Sequence, residues 1–252
     1  MKAHTLAFLL LASGVMGCKP TTTPVAKQHA LAKKPELPPI QVEAKAMVIE
    51  NLEAKMSAPG VRLSNMEGRS AFFTVGHWFQ KDFVGHYKIH DESGIYPLVA
   101  TMYLGGDVVI LAPGKPGTDA PLTSGSAPIQ PLGDEGTMNA VGDVQGIDPI
   151  VVKSLDGKRS GQCFGQARFV VGVVGTNEER QFFMCDIVPP SKPGDSGTPF
   201  RSSDDNLLLL SGTTEQGFNY QQKNGAETKT KSTSFLVYLA NLRHPLPEMP
   251  HK

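Results

Sequence analysis

The sequence predicts an all-β fold in two halves, and three observations carry that reading. From about residue 46 onward, short apolar runs recur between turn residues. Glycine and proline are frequent, at 26 and 20 of 252 residues, and no long amphipathic helical face or internal sequence repeat accompanies them. The runs are interrupted between Pro113 and about Gly136 by a stretch that holds Pro113, Pro116, Pro121, Pro128 and Pro131 with hardly any apolar periodicity. That stretch reads as a crossing between two small barrels or sandwiches. With 40% hydrophobic residues, the chain can build a real core.

Taken in order, residues 1–18 are a separate object. A basic start, the apolar run 6–16 and the small Gly17 fit an export signal, and the run is too short to span a bilayer. Val15-Met16-Gly17-Cys18 resembles the lipobox of bacterial lipoproteins, in which the cysteine becomes the lipidated N-terminus; Met16 departs from the smaller residue usual in that slot. Lipidation of Cys18 and ordinary cleavage after Gly17 are both open readings. Residues 19–45 carry Pro20, Pro24, Pro35, Pro38 and Pro39 with Lys19, Lys27, Lys33 and Lys34, and form no core. They read as a disordered tether or leader.

Residues 46–120 hold strand candidates at 70–75, 84–89, 98–103 and 108–111, enough for most of a first barrel. Residues 121–245 hold a second set at 150–152, 166–174, 181–188, 198–200, 207–211 and 234–239. The stretch 237–243 is expected to carry the last strand into a short helix before Pro245 stops it, leaving 246–252 as a tail. Lys plus Arg and Asp plus Glu balance at 24 each, so no global field draws the chain to nucleic acid.

Three segments carry candidate chemistry. Pro193-Gly194-Asp195-Ser196-Gly197-Thr198-Pro199 places a serine between glycines, a pattern that is also plain turn chemistry. Phe72-Phe73-Thr74-Val75-Gly76-His77-Trp78 puts an imidazole at the end of an apolar run. Gly105-Gly106-Asp107 sits just before the run Val108-Val109-Ile110-Leu111, where a carboxylate can orient a histidine or simply occupy a hairpin turn. His77 by itself also fits a core or rim histidine with no chemical role.

Together these segments resemble the chymotrypsin/trypsin-like serine peptidase family, in a bacterial or viral-type member. The first is similar to its nucleophile loop, the second to its Thr-Ala-Ala-His turn, with Val75 and Gly76 in the alanine slots, and the third to its Asp-Ile-Ala-Leu-Leu element. The order His77, Asp107, Ser196 is the order of that family. The resemblance covers about residues 46–243 and implies two six-stranded antiparallel β-barrels with the active site between them. It implies a serine endopeptidase in which Ser196 is the nucleophile, His77 the base and Asp107 the orienting carboxylate. The N–H groups of Gly194 and Ser196 form the implied oxyanion hole. Protein or peptide is the implied substrate, and no cofactor is implied.

The chain departs from the family in several places. Trp78 replaces the cysteine that follows the histidine in many animal members, and no activation site of the Ile-Val-Gly-Gly kind is present. Asp195 is therefore expected to hold its loop through backbone N–H groups or a nearby cation such as Lys192. Pro190 stands where trypsins carry an acidic residue, which leaves Lys or Arg specificity without support. Ser211-Gly212-Thr213-Thr214 resembles the edge that pairs with substrate backbone, so Pro190, Ser211, Gly212 and Thr213 are the expected substrate-binding residues, with Glu215 at the rim.

Beyond Cys18, the chain has Cys163 and Cys185, flanking what reads as a hairpin. A disulfide and two buried free thiols are both open. His86 and His90 read as the solvent face of a strand near Asp82 and Asp91, and a metal site with His77 lacks any familiar ligand spacing. The expected location is outside the cytoplasm, periplasmic or at the cell surface, with Cys18 as a membrane tether if lipidated. The competing reading is a catalytically silent peptidase-like binding module. A third is a processing peptidase with one partner substrate. Sequence leaves the oligomeric state open.

Overall fold

Two of the apolar runs do not alternate. Val108-Val109-Ile110-Leu111 and Leu207-Leu208-Leu209-Leu210 are apolar at every position, a pattern that fits strands buried on both faces. The computed structural model describes residues 42–65, 68–79, 85–118, 122, 125–126, 139–140, 145–173, 176–215, 217–221 and 226–243. All of them belong to the compact unit Pro38–Lys252.

The first barrel consists of β1 (Glu43–Asn51), β2 (Met56–Ser64), β3 (Ser70–Val75), β4 (Tyr87–Asp91), β5 (Gly94–Gly105) and β6 (Val108–Pro113). Its antiparallel pairs run β1–β2–β3–β6–β5–β4 and close from β4 back to β1. A short β7 (Gly125–Ser126) lies parallel on β5. The second part begins with β8 (Asn139–Ala140), which pairs with β10. Its barrel is built from β9 (Gln145–Ser154), β10 (Ser160–Val173), β11 (Thr176–Val188), β12 (Pro199–Ser202), β13 (Asn206–Thr214) and, after the small hairpin of β14 (Asn219–Gln221) and β15 (Glu227–Lys229), β16 (Thr233–Asn241). These pair as β9–β10–β11–β16–β13–β12 and close from β12 back to β9.

The fold is therefore all-β, two closed six-stranded antiparallel barrels, as the resemblance implies. Both barrels follow the same circuit, the first strand of each pairing with its second and fourth and the third with the sixth. The two halves repeat in topology although the sequence shows no repeat. Closure leaves no long strand edge within either barrel.

Side-chain alternation explains the doubled runs. Val109 and Leu111 point into the first barrel with Phe72, Ile49 and Leu98. Leu208 and Leu210 point into the second with Phe200 and Leu236. The intervening Val108 and Ile110, and Leu207 and Leu209, meet with Phe73, Phe235 and Val237 in a third apolar cluster shared by both barrels. Each such side chain contributes about 1.5–3 kcal/mol when fully buried, so the junction is a core in its own right and can hold groups from two barrels in register.

The structure corrects the sequence reading in particular places. No strand was expected before residue 70, yet β1 and β2 are there; Pro59 and Gly60 break the strand pattern of β2, and only its pairing reveals it. β1 starts at Glu43, inside the stretch 19–45 read as tether. Leu122 packs in the first barrel's core and β7 pairs with β5, so the crossing segment also contributes to the first barrel. The expected helix at 237–243 is instead β16 continuing to Asn241, because Val237 and Ala240 are buried strand positions at the junction. Residues 1–41, with Cys18, and the tail lie outside the described residues.

Candidate active site

β3 ends at Val75 and passes into a single 3-10 turn, Gly76–Trp78, that presents His77. Trp78 anchors the turn by edge-on contacts with Phe79 and Tyr87. The other anchor is Asp107. Its backbone carbonyl accepts the Gly76 N–H at 2.8 Å, and its Oδ1 accepts the His77 N–H at 2.9 Å. Its Oδ2 lies 2.7 Å from His77 Nδ1. An ionised carboxylate can only accept, so this contact puts a proton on Nδ1; in the neutral imidazole that leaves Nε2 with its lone pair.

Asp107 is placed by the β5–β6 connection. Gly106 and Asp107 have φ of 60° and 69° between paired residues Gly105 and Val108, the two positive φ values of a type I′ hairpin turn. The aspartate forms the turn, and its carboxylate reaches His77. The side chain is completely buried, while that of His77 is 15% exposed.

Further groups surround that carboxylate. Ser211 Oγ, from β13, donates to Oδ2 at 2.5 Å. Arg180, from β11 and also completely buried, brings Nη1 to 3.8 Å from Oδ1. Tyr103 OH accepts the Asp107 N–H at 3.2 Å and an Arg180 Nη2 hydrogen bond at 2.9 Å. Burial pushes the Asp107 carboxyl up, but its electrostatic attraction to and hydrogen bond with His77, the Arg180 guanidinium and the Ser211 hydroxyl outweigh it and hold the carboxyl below its ordinary range.

The serine loop is two consecutive β-turns. Asp195 N–H donates to Lys192 O and Thr198 N–H to Asp195 O, both at 3.0 Å, with Gly194 and Gly197 in the third positions at φ 91° and 93°. Gly197 has a second reason to be glycine. A Cβ there would stand 2.2 Å from Pro59 O and 2.6 Å from Thr74 Oγ1, so the loop's backbone lies directly against β2 and β3. That contact brings Ser196, from the second barrel, to the first. Ser196 Oγ donates to Ser211 O at 3.2 Å. Among the described residues, neither the Gly194 N–H nor the Ser196 N–H donates to a protein acceptor, which leaves both available beside the hydroxyl.

Asp195 closes its loop by accepting the Lys192 backbone N–H at 2.7 Å and Arg159 Nη2 at 2.7 Å. The partner cation is thus Arg159, next to the start of β10, and not the Lys192 side chain. Sequence offers no hint of this, because 36 residues separate the pair.

Of the expected substrate-binding residues, Pro190 is exposed and Gly212 has open space where a Cβ would stand. The Ser211 side chain is buried and spent on Asp107, so its backbone alone faces the serine loop. Thr213 is exposed, and its hydroxyl meets Ser191, which in turn bonds Ser234 at 2.7 Å. This hydroxyl group was not anticipated, since Ser234 joins it only through the Thr213–Ser234 pairing. β12 pairs with Leu207–Leu209 only, so at Gly212 and Thr213 one edge of β13 has no strand partner among the described residues.

The remaining candidates lie apart. His86 Nδ1 is 2.6 Å from Glu53 Oε1, and His90 Nε2 is 3.0 Å from Glu50 Oε2, so both pair with glutamates on or beside β1 and neither with Asp91. Asp82 lies outside the described residues. Among the described residues no group of three or more His, Cys, Asp or Glu is placed to hold a metal. Cys163 and Cys185 face each other across β10 and β11 and are joined as a buried disulfide.

No protein-family model matches the chain, and no curated protein matches it. Among solved structures the chain is similar to the Rv3671c protease from M. tuberculosis in its active form, with 12% identity, 84% of each chain covered and a TM-score of 0.40.

Proposed function

We propose that this protein is a serine endopeptidase that works through a His77-Asp107-Ser196 triad and an acyl-enzyme. The observation that carries the reading is the pairing of His77 with the buried Asp107, linked through Ser211 to the hydroxyl of Ser196. Ser196 Oγ attacks the scissile carbonyl and His77 Nε2 takes its proton. The oxyanion receives the Gly194 and Ser196 N–H groups, each such donor being worth about 3 kcal/mol. The imidazolium then gives its proton to the leaving amine, and water repeats the sequence to release the acid. Asp107 stays ionised throughout and holds the imidazole tautomer. The unpaired edge at Gly212 and Thr213 suits an extended peptide that adds as a strand.

Export fits this reading. A disulfide between Cys163 and Cys185 suits an oxidising compartment, and the signal-like residues 1–18 would direct the chain there, with Cys18 as lipid anchor at a periplasmic or cell surface. The mass of the mature N-terminal peptide distinguishes a lipidated Cys18 from plain cleavage after Gly17.

One observation favours a second reading, a silent peptidase-like binding module: Ser196 donates to Ser211 O and not to His77. A fluorophosphonate probe separates the two. Labelling of the wild-type protein that is lost in Ser196→Ala, with cleavage of a peptide library, supports the peptidase. A folded protein that stays unlabelled and releases bound peptides uncut is the binding module.

A further inference from the structure

Arg180 is a buried cation in a position that no motif accounts for. It lies on β11 in Glu179-Arg180-Gln181, a sequence that reads as exposed, yet its side chain has no solvent-accessible surface. A buried guanidinium is tolerated only with charged and hydrogen-bonding partners. Two of its partners come from the first barrel: Tyr103, whose hydroxyl accepts Nη2 at 2.9 Å, and Asp107, whose Oδ1 is 3.8 Å from Nη1. The guanidinium carbon also sits 5.9 Å from the centre of the Tyr103 ring.

The two oxygens of Asp107 are divided between His77 and Arg180. Oδ2 faces His77 Nδ1 and the Ser211 hydroxyl, while Oδ1 takes the His77 backbone N–H and faces Arg180. The groups around this carboxylate are therefore His77 from the 3-10 turn, Tyr103 from β5, Arg180 from β11 and Ser211 from β13. Arg180 is the one with a permanent charge.

We infer that Arg180 is a positioning residue for the proposed reaction, a fixed positive charge behind Asp107 that limits how far the Asp107–His77 pair accumulates protons. The inference rests on the peptidase reading for its kinetic consequence. Its electrostatic basis is independent of that reading. The guanidinium, 3.8 Å from Oδ1, favours ionised Asp107 and places a fixed positive charge beside the pair, which opposes uptake of a further proton by the pair as a whole. Its removal takes away that opposing charge.

The test uses the full chain. The rate of Ser196 labelling by a fluorophosphonate is followed from pH 4 to 9 in wild type, Arg180→Lys, Arg180→Met and Arg180→Gln, with near-UV circular dichroism as the check on folding. Arg180→Gln keeps an amide donor for Tyr103 and serves where Arg180→Met does not fold. The acid limb of the profile is expected to move up by about one pH unit in the neutral variants. It is expected to return most of the way in Arg180→Lys. A neutral variant that folds and labels more slowly with its acid limb unmoved overturns the inference and leaves Arg180 as a structural strut. If the wild type does not label, the peptidase reading fails by itself. NMR titration of the His77 ring in the same variants then decides: an upward midpoint shift supports the inference and an unchanged midpoint overturns it.

Discussion

Ser211 Oγ donates to Asp107 Oδ2 at 2.5 Å across 104 residues of chain, and the carbonyl of the same serine accepts Ser196 Oγ at 3.2 Å. One residue thus touches both ends of the proposed triad. Its hydroxyl helps hold a buried carboxylate ionised, and hydrogen bonds to charged groups contribute about 1.5–3 kcal/mol. Ser211→Ala is expected to lower stability by that order, measured by urea unfolding. Its fluorophosphonate labelling is expected to slow while Ser196 remains reactive.

Asp107→Asn removes the negative charge from between His77 and Arg180. The new amide can present its N–H₂ to His77 Nδ1 and so stabilise the wrong tautomer, and a loss of about 10⁴ in reaction rate is expected, as for this substitution in a Ser-His-Asp triad. The buried Arg180–Asp107 ion pair is also lost, and removing one partner of such a pair typically costs about 3–5 kcal/mol. Labelling kinetics and chemical denaturation measure the two effects separately. A variant of full activity would contradict the assigned role of Asp107.

Gly194 and Gly197 share nearly the same backbone angle and predict different outcomes. An alanine at 197 meets Pro59 O at 2.2 Å, a backbone atom that cannot swing aside, so Gly197→Ala is expected to destabilise by more than about 2 kcal/mol and to abolish labelling. An alanine at 194 meets nothing within 4 Å and carries only the left-handed backbone penalty of about 1–2 kcal/mol. Thermal unfolding of the two variants should rank them in that order.

Acid is expected to destabilise the fold. Burial raises the carboxyls of Asp91 and Asp156, but in Asp91 the Ser93 hydroxyl and N–H with Arg62 prevail, and in Asp156 the Ser154 hydroxyl with Lys158 prevails. Asp107 is held low as described. A carboxyl that is more acidic folded than unfolded contributes its stability above the unfolded value, about 3.9 for aspartate. That contribution disappears as pH falls through the lower folded values. Urea midpoints should therefore be level from neutrality to about pH 5 and decline below about pH 4; a midpoint that rises on acidification would contradict these assignments.

Much of the architecture was legible because it is written locally. The strands at 70–75 and 108–111 declare themselves by β-branched and aromatic runs, and β3 has the bounds expected of it. The runs at 108–111 and 207–210 further say, by failing to alternate, that both of their faces are covered. β1 and β2 were not legible. Pro59 and Gly60 obscure the pattern, and their place in the barrel rests on pairing with partners that sequence spacing does not identify.

By itself the sequence determined an all-β chain in two halves and three short segments, around His77, Asp107 and Ser196, in a meaningful order. Residue type and immediate neighbours suffice for these, because turns, apolar runs and glycine-flanked loops are local physics. Tertiary structure decided what surrounds the three. It brought Arg180 from β11 behind Asp107, turned the Ser211 hydroxyl inward, gave Asp195 the distant Arg159 and pressed Gly197 against Pro59. Each of these depends on closing a barrel or docking one barrel on the other. Burial and distance then set how strongly the charges act, and neither quantity belongs to any residue on its own.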